Sequence, residues 1–283
     1  MNPRASLIVA VYKRPDFLEK IFASVRGQTR GDFEVLIADD GSGQDVAGAV
    51  RRFAKEFSRP MRHIWHRDAG FRKTIIVNEA VAKAGTDYLV FIDGDCVLHH
   101  RFMERHLVNR RKGVVLAGRR VMLDEAITAR LSIADIQSKR IERPSFWWNN
   151  CGADQRKHGL YVPGSFTLEN AFGKRYWIVG SNFSVHASDF QAVNGYDESI
   201  TGRGLEDINL TERFRLKGVR IKTITREALQ YHLFHTSDPV PHDAETYRNL
   251  CFPKQYWAQN GLDHHREIGR ETGVAPEDSA HGG

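Results

Sequence analysis

One stretch constrains the fold of this chain more than any other: the apolar run Tyr88–Ile92, which ends abruptly in Asp93-Gly94-Asp95. The run is short, aromatic and β-branched, a pattern typical of a strand buried on both faces of a sheet. Open α/β sheets hold ligands at the carboxyl ends of such strands. Because residues two apart in an extended chain point the same way, Asp93 and Asp95 can converge on one hard cation, and Gly94 lets a ligand approach the backbone. The motif alone also fits a strand that ends in a polar turn.

Strand-like and helix-like segments alternate along the first part of the chain. Apolar runs predict earlier strands over Ser6–Val11, Phe33–Ala38 and Arg62–Trp65. The segments between them carry apolar residues at helical spacing and predict helices over Asp16–Arg26, Gln44–Phe57 and Thr74–Ala84. This alternation predicts an α/β fold with a parallel sheet covered by helices on both faces.

Polar clusters follow each predicted strand, at Tyr12-Lys13, Asp39-Asp40, Asp68–Lys73 and Asp93–Asp95. A parallel sheet brings the carboxyl ends of its strands to one edge, so we expect these clusters to be neighbours. No Gly-x-Gly-x-x-Gly follows the first strand, and no Gly-Lys-Ser/Thr loop is present. The sequence therefore argues against dinucleotide dehydrogenases and P-loop enzymes.

The second half of the chain is less regular. The paired Trp147 and Trp148 lie near a Gly- and Pro-containing stretch that runs through Gly164. They could stack on sugars, touch a membrane interface or anchor a loop in the core, and the sequence leaves these roles open. Predicted helices cover His100–Arg110, Glu125–Ile141, Ser188–Val193, a segment from within Thr201–Leu210 to Lys217, and Glu245–Gln259. Predicted strands cover Val114–Ala117, Val219–Ile224 and Ala228–Phe234, and residues after about Gly269 are expected to be disordered.

Composition limits the partners and the compartment. The 283 residues carry a net charge of +6, but the basic residues are interspersed with acidic ones, so nucleic-acid binding is not expected. No segment has the ~20 apolar residues that a membrane span needs. Three widely spaced cysteines indicate a reducing compartment, with neither a disulfide framework nor a zinc site. Since the chain leads straight into a strand with no signal peptide, we expect a cytoplasmic location.

Two groups of motifs resemble known glycosyltransferases. The first group resembles the nucleotide-sugar-binding half of family 2 glycosyltransferases and consists of Ser6–Tyr12, Asp39–Ser42 and Phe91–Asp95. The second group resembles the acceptor-side half of β-1,4-galactosyltransferases and of bacterial chondroitin-polymerase domains. It consists of Ile178–Asn182, Asn194-Gly195 and Gly204–Asp207. The resemblance implies a GT-A fold, a Rossmann-like nucleotide-sugar-binding sheet with an acceptor-side subdomain. The two halves would be residues 1–118 and 119–240, with a C-terminal helix and tail over 241–283.

The resemblance also implies how the donor and the metal would be held. Asp40 would hold the uracil ring, Asp93 would contact the ribose, and Asp95 would ligate the metal with His232 as a further ligand. Because imidazole suits borderline metals, Mn²⁺ is favoured over Mg²⁺. The full set of implied donor-binding residues is Ala10, Tyr12, Asp39, Asp40, Arg72, Lys73, Asp93, Gly94 and His235.

On the acceptor side the resemblance implies a general base at Asp207. This residue lies just inside a predicted helix start, where the helix dipole favours the ionised form, and general-base catalysis is typically worth about 10²–10⁴-fold. Glu206 would hold acceptor hydroxyls, with Gly180 and Trp177 as further acceptor-side residues. Alternatively, the two acids only stabilise the helix N-terminus, by about 0.3–1 kcal/mol. The next residue is Ile208, where galactosyltransferase relatives often carry an acid or amide.

The predicted activity is metal-dependent, inverting transfer of a hexose or N-acetylhexosamine from a UDP-sugar to a glycan, forming a β-glycosidic bond. Acceptors consistent with a cytoplasmic enzyme are lipopolysaccharide, capsule or lipid-linked oligosaccharide, with peripheral contact at the inner membrane leaflet. One alternative is a nucleotidyltransferase, which would need a Gly-rich basic loop that Tyr12–Pro15 does not supply. The other is a non-catalytic glycan-binding subunit.

Overall fold

The computed structural model describes residues 2–149, 156–171, 175–200, 204–236 and 244–265. At its centre, four parallel strands lie side by side in the order β3-β2-β1-β4. They are β1 (Ala5–Val11), β2 (Phe33–Asp39), β3 (Met61–Trp65) and β4 (Tyr88–Asp93). The predicted parallel α/β half is therefore confirmed, with boundaries within about a residue of those expected.

The helices between these strands cover both faces of the sheet. They are α1 (Pro15–Arg26), α2 (Gln44–Glu56) and α3 (Lys73–Ala82). Helices α1 and α2 pack on one face, and α3 packs on the other. Helix α1 shows why the sequence folds this way: its apolar positions repeat at helical spacing and are all buried, at Phe17, Leu18, Ile21, Phe22 and Val25.

The sheet continues into the second half of the chain, but it is not purely parallel. Strand β8 (Asn182–His186) lies between β4 and β6 (Val114–Ala117) and is antiparallel to both. Strand β9 (Arg220–Thr223) then pairs parallel to β6 and completes seven strands. The parallel pairing that the alternation of strands and helices predicted therefore holds for β1–β4, and the second half of the chain adds the antiparallel strand. Because Asn182 pairs with Ile92, the chain just before β8 lies beside the carboxyl end of β4.

A small second sheet crosses beneath the Asp-Gly-Asp turn. It contains β5 (Cys96–Leu98), β7 (Val121–Met122) and β10 (Gln230–His232), with β10 in the middle. Strand β10 is antiparallel to β5, with His232 opposite Cys96. Cys96 is buried, as expected of a small apolar residue in that position.

The remaining helices are mostly short, and two predicted helices are revised. The long helix over Glu125–Ile141 is replaced by α5, α6 and a 3₁₀ turn at Arg140–Glu142. Ser132 and Asp135 form a capping box that starts a new helix, and Lys139 adopts a left-handed φ of 59°, which interrupts it. The last helix ends at Cys251, because Pro253 disfavours helical geometry in the residue before it. These helices are α4 (Phe102–Asn109), α5 (Glu125–Arg130), α6 (Ile133–Gln137), α7 (Pro144–Trp147), α8 (Phe166–Glu169), α9 (Ala187–Gln191), α10 (Glu206–Leu216) and α11 (Ala244–Cys251).

The paired tryptophans separate in the structure. Trp147 is completely buried in the core that also contains α1 and α2, whereas Trp148 is exposed. Cys96 and Cys251 are free and buried, and Cys151 lies outside the described residues. The tail after Gly269, expected to be disordered, also lies outside them. Within the described ranges, no helix has the length and apolar character needed to cross a bilayer.

Candidate active site

The carboxyl ends of β1 and β2 carry the first group of predicted donor-binding residues. The buried carboxylate of Asp40 contacts His66 Nε2 at 2.7 Å and accepts a hydrogen bond from the Arg72 amide at 2.9 Å. Asp40 therefore joins the loop after β2 to the loop after β3. Asp39 is completely buried, and its two oxygens contact the Ser42 amide and His63. Its carboxylate holds the turn after β2 and strand β3, and the donor contact that the resemblance implies for Asp39 stays a prediction.

Two loops meet in front of these acids. The Tyr12 hydroxyl, on a half-exposed ring, donates to Asp68 Oδ2 at 3.1 Å. Gly41 has a φ of 89°, and a Cβ at this position would lie 2.4 Å from Asp68 Cα. Only glycine allows this close approach, because the left-handed backbone and the contact both exclude a side chain. The loops after β1, β2 and β3, which carry Tyr12, Asp40 and Asp68, therefore meet at this edge of the sheet.

Helix α3 begins beside Asp40, at the end of the loop that follows β3. The Lys73 ammonium donates to Asp93 Oδ1 at 2.6 Å, so it contacts the predicted ribose-binding acid. Burial opposes its positive charge, but attraction by Asp93, Asp207 and Glu206 outweighs burial and raises the pKa of Lys73. The Arg72 guanidinium donates to the Arg67 carbonyl, while its buried Nε has no partner among the described residues.

The Asp-Gly-Asp turn packs directly against β1. The Gly94 amide donates to the Ala10 carbonyl at 2.8 Å, and a Cβ at Gly94 would lie 3.2 Å from that oxygen. The glycine therefore permits close approach of the neighbouring strand, rather than of a ligand as expected. The two carboxylates do not converge either: Asp93 contacts Lys73, and Asp95 contacts two histidines. The picture of one cation held by both acids is corrected accordingly.

Asp95, His232 and His235 form a compact cluster of potential metal ligands. Asp95 Oδ2 lies 3.2 Å from His232 Nε2 and 3.0 Å from His235 Nε2, and the three ligand atoms lie within 4.8 Å of one another. His235 Nδ1 lies 3.2 Å from the Thr236 carbonyl, to which it can only donate. Without a metal, His235 Nε2 shares a proton with Asp95; a metal would replace that proton at Nε2, while Nδ1 keeps its contact with the Thr236 carbonyl, as in metal sites whose histidines are oriented by an outer carbonyl.

The electrostatics of this cluster favour a bound cation. Burial alone would raise the pKa of Asp95, but hydrogen bonds from His232 and His235 hold it well below its usual range. The hydrogen bond to Asp95 in turn raises the pKa of His235. The buried Nδ1 of His232 has no hydrogen-bond partner among the described residues. One carboxylate and two imidazoles fit a borderline divalent metal such as Mn²⁺ better than Mg²⁺, and phosphate or water oxygens could complete the shell.

A second cluster, His99, His100 and Glu142, is a poorer candidate for a metal site than the Asp95 cluster. His100 Nδ1 lies 2.6 Å and His99 Nε2 lies 3.4 Å from Glu142 Oε2. However, His99 Nδ1 accepts a hydrogen bond from the Arg101 amide at 3.2 Å. The proton of neutral His99 is therefore on Nε2, which leaves no lone pair facing Glu142. Burial lowers the pKa of His99 to about 3, consistent with a neutral ring in a structural hydrogen bond.

The acid pair Glu206-Asp207 opens α10 beside the same sheet edge. Asp207 Oδ2 accepts a hydrogen bond from the Gly180 amide at 2.7 Å, and Oδ1 accepts one from the Tyr196 hydroxyl at 3.1 Å. A Cβ at Gly180 would lie 2.5 Å from Asp207 Oδ1, so the carboxylate can approach the backbone only because residue 180 is a glycine. Glu206 Oε2 accepts from the Gly204 amide at 2.6 Å.

Both acids of this pair hold their protons more tightly than usual. Burial, followed by repulsion from Asp207, raises the pKa of Glu206 to about 7. Burial also raises the pKa of Asp207, against the attraction of Lys73 and the hydrogen bond from Gly180. A carboxyl group whose pKa lies near neutrality is suited to accept a proton from a substrate. Lys73 connects the donor and acceptor sides, since it bonds Asp93 and attracts both members of the pair.

Two contributors to this site were not identified from the sequence. Tyr196 follows the Asn194-Gly195 turn, in which both residues have left-handed φ values of 61° and 67°. Asn78 of α3 accepts from the Tyr196 amide at 3.0 Å and donates to the Tyr196 carbonyl at 2.9 Å. The Asn-Gly turn was a visible signal, but the link from Asn78 depends on tertiary contacts that no local pattern reveals.

Trp177 lies at the outer rim of the acceptor side. Its ring is 55% exposed, and the Arg119 guanidinium stacks 4.9 Å from the ring centroid. Arg119 also donates to the Trp177 carbonyl at 3.1 Å. An exposed aromatic plate that is fixed in this way can stack on a sugar ring, although Trp177 is the one predicted acceptor residue away from the buried acids.

Comparison with protein families agrees with this arrangement. Residues 6–162 match the model of glycosyl transferase family 2, and residues 169–237 match the N-terminal domain of galactosyltransferase. Because the first match covers more than half of the chain, this chain belongs to glycosyl transferase family 2.

Among curated proteins, the validoxylamine A glucosyltransferase of Streptomyces hygroscopicus subsp. jinggangensis is 24% identical over 240 residues, covering 80% of this chain and 54% of that protein. The chondroitin synthase of Escherichia coli is 23% identical over 237 residues, covering 80% of this chain and 34% of the synthase. This chain therefore spans about half, or less, of the length of these relatives.

Solved structures share the GT-A fold. S. aureus TarS residues 1–349 in complex with UDP-GlcNAc gives a TM-score of 0.59 at 15% identity, covering 95% of this chain and 71% of that one. The mannosyltransferase PcManGT of Pyrobaculum calidifontis, in complex with GDP-Man and Mn²⁺, gives 0.54 at 15% identity, covering 98% and 66%.

Proposed function

We propose that this protein transfers a hexose or N-acetylhexosamine from a UDP-sugar to a glycan hydroxyl, with inversion at the anomeric carbon and dependence on a divalent metal. One observation carries the proposal. The ammonium of Lys73 bonds Asp93, two residues before the Asp95–His232–His235 cluster, and attracts Asp207, the partly buried base candidate whose pKa is raised.

The donor would lie against the loops after β1, β2 and β3. Asp40 would contact the uracil ring and Asp93 the ribose, as the family resemblance implies, and Tyr12 would also contact the donor. The buried, unpaired Nε of Arg72 provides a hydrogen-bond donor for a phosphate oxygen. TarS and PcManGT, which share the fold, are described in complex with UDP-GlcNAc and with GDP-Man and Mn²⁺, respectively, which supports a nucleotide-sugar donor.

The metal would be held by Asp95, His232 and His235. A bound Mn²⁺ would supply Lewis-acid neutralisation of the diphosphate leaving group. The contribution of the chain is to hold Asp95 ionised and His235 in the tautomer that faces it, as the contacts described above indicate.

The acceptor hydroxyl would lie against Asp207. As the acceptor oxygen bonds to the anomeric carbon and the bond to the diphosphate breaks, Asp207 would take the hydroxyl proton and UDP would leave. The Gly180 amide and the Tyr196 hydroxyl fix both carboxylate oxygens, so the base is oriented before substrate arrives. Glu206 and Trp177 would contact other parts of the acceptor glycan.

The acceptor would be a lipopolysaccharide, capsular or lipid-linked glycan in the cytoplasm, reached by peripheral contact with the inner membrane leaflet. The positive net charge supports an anionic acceptor surface. We also retain the proposed division into a donor half over residues 1–118 and an acceptor half over 119–240, followed by the C-terminal segment 241–283.

A panel of UDP-sugars and GDP-mannose tests the proposal. Nucleoside diphosphate release is measured with Mn²⁺, with Mg²⁺ and with EDTA. We expect slow hydrolysis of one UDP-sugar that needs the metal and is lost in Asp207→Asn. Release of inorganic pyrophosphate from a nucleoside triphosphate and a sugar phosphate would instead indicate a nucleotidyltransferase. Metal-dependent binding of the donor without turnover in any condition would indicate a glycan-binding subunit.

A further inference from the structure

A cavity of about 520 Å³ is lined by residues of the acceptor side, and none of them belongs to the acid pair or the metal cluster. We call it the arginine pocket. Three of its six lining residues carry a guanidinium group, and the full lining is Arg130, Asp135, Arg140, Arg143, Ser145 and Phe146. Nothing in the proposed donor or metal chemistry uses these residues.

The positive charge of this pocket is largely uncompensated. Its single acid, Asp135, already accepts hydrogen bonds from the Ser132 amide and hydroxyl and from Arg140 at 3.1 Å. In the described part of the chain, no side-chain hydrogen bond or ion pair engages Arg143. Three guanidinium groups face one carboxylate, which leaves two excess positive charges around the cavity.

The arginines are also held in place. Phe146 is buried, and the guanidinium groups of Arg130 and Arg140 lie 5.5 and 5.3 Å from its ring centroid. Arg130 also donates to the Phe146 carbonyl at 3.1 Å. Stacking on one aromatic ring limits the freedom of both side chains, so less entropy is lost when they bind an oxyanion.

One hydrogen bond joins a helix of the pocket to the segment that carries the metal-cluster histidines. Thr128 of α5 accepts a hydrogen bond from the Phe234 amide at 2.8 Å. Phe234 lies between the two proposed metal ligands His232 and His235, and Arg130 follows Thr128 by two residues on the same helix. Helix α5, which contributes Arg130 to the pocket, is therefore bonded to the segment that carries two of the proposed metal ligands.

We propose that the arginine pocket binds a phosphate group carried by the acceptor, at a distance from the hydroxyl that receives the sugar. The proposal rests on the transferase function proposed above. Phosphate is the favoured ligand because guanidinium groups bind it through paired hydrogen bonds, each roughly twice as strong as a neutral one. The same chemistry would be offered by a soluble sugar phosphate or by a lipid-linked diphosphate.

The first test measures binding without turnover. Inorganic pyrophosphate is titrated calorimetrically in EDTA, so that no metal can hold it at Asp95. We expect the triple variant Arg130→Gln, Arg140→Gln, Arg143→Gln to bind at least tenfold more weakly than the wild type, since charge-assisted hydrogen bonds are each worth roughly that factor. The matched control, Arg51→Gln, Arg111→Gln, Lys112→Gln, removes three exposed cations elsewhere and should bind like the wild type.

Equal pyrophosphate affinity in the wild type and the arginine-pocket variant would overturn the proposal, as would an equal loss in the control variant. If the triple variant fails to fold by circular dichroism, Arg143→Gln alone is used, because its side chain supports no described contact. That variant should still weaken binding several-fold, and unchanged binding would count against the pocket.

The second test separates the two sources of phosphate. N-acetylglucosamine 1-phosphate and farnesyl diphosphate are compared, with N-acetylglucosamine and farnesol as uncharged controls. Arginine-dependent binding of the first indicates a soluble acceptor, and of the second a lipid-linked one, whereas equal binding of charged and uncharged probes overturns the proposal. Since no arm needs catalysis, a failed UDP-sugar assay would remove the proposed reaction but not the phosphate site.

Discussion

Asp95 and Asp207 are two partly buried carboxylates near the carboxyl end of β4, and their environments act on them in opposite directions. Asp95 contacts two imidazoles, whose hydrogen bonds outweigh burial and hold its pKa well below the usual range. Asp207 contacts a backbone amide and a tyrosine hydroxyl, both uncharged, and burial raises its pKa. Carboxylates whose environments separate their pKa values generally have different chemical tasks. Asp95 is therefore suited to be a permanent anion that holds a metal, and Asp207 is suited to accept a proton.

The largest expected effect comes from replacing Asp207, the base candidate on the acceptor side. Asp207→Asn keeps the hydrogen bond from Gly180 but cannot accept a proton, so transfer should fall about 10²–10⁴-fold. UDP affinity, measured by calorimetry, should be unchanged, and Asp45→Asn at an exposed helix start serves as the control. An equal loss of UDP binding would show that the two carboxylates do not have separate tasks.

The next largest effect is expected from replacing Asp95 in the metal cluster. Asp95→Asn removes the anion of the metal cluster, so Mn²⁺ affinity should fall at least tenfold, and activity should fall with it. Mn²⁺ binding can be followed by electron paramagnetic resonance. His100→Gln, in the second histidine cluster, should leave Mn²⁺ affinity unchanged. A variant of Asp95 that still responds to Mn²⁺ like the wild type would contradict the assignment.

A pH profile sharpens the contrast between the two carboxylates. The base must be ionised to work, so kcat should fall as pH decreases through the raised pKa of the Glu206-Asp207 pair, with Glu206 at about 7. Lys73 attracts both acids, so Lys73→Met should move this limb of the profile to higher pH by about one unit, equivalent to about 1.4 kcal/mol. A limb that stays in place would exclude Lys73 as the group that keeps the pair ionised.

The last expected effect is on stability and not on activity. Because the pKa of Glu206 is raised in the folded state, the stability it contributes is present at low pH and is lost as pH rises from its unfolded value to about 7. Glu206→Gln removes this ionisation and should increase the free energy of unfolding by up to about 3 kcal/mol at pH 8 relative to the wild type. The gain should disappear near pH 4.5. Urea denaturation at both values measures it, and a pH-independent difference would contradict the raised pKa.

The sequence predicted the donor half well because its signals are local. Strand β4 is an unbroken apolar run, and α1 has helical spacing with a proline at its first turn, so each element could be recognised alone. Strand β8 was missed, because whether Asn182–His186 is a strand depends on edges that β4 and β6 provide. The predicted helix over Glu125–Ile141 was wrong because a capping box started a new helix within an amphipathic pattern.

The candidate site was only partly accessible to sequence reasoning. The motif resemblance selected Asp95, His232 and Asp207, which the structure brings to one sheet edge as expected. It gave Lys73 a donor-side role, which stays a prediction, but it did not indicate that this ammonium pairs with Asp93. It gave no indication of Tyr196, because the hydroxyl reaches Asp207 across a turn whose position depends on Asn78. Motifs identify residue types, but pairings between charged groups depend on packing.

The antiparallel insertion of β8 has a consequence for how the chain reaches its final form. Strand β6 is made before β8, yet it can join the sheet only through β8, which comes about seventy residues later. A fragment that stopped at residue 162, where the first family match ends, would leave β4 with an unpaired apolar edge. Such edges recruit other chains and aggregate. We therefore expect the two matched segments to fold together, and either one expressed alone to aggregate.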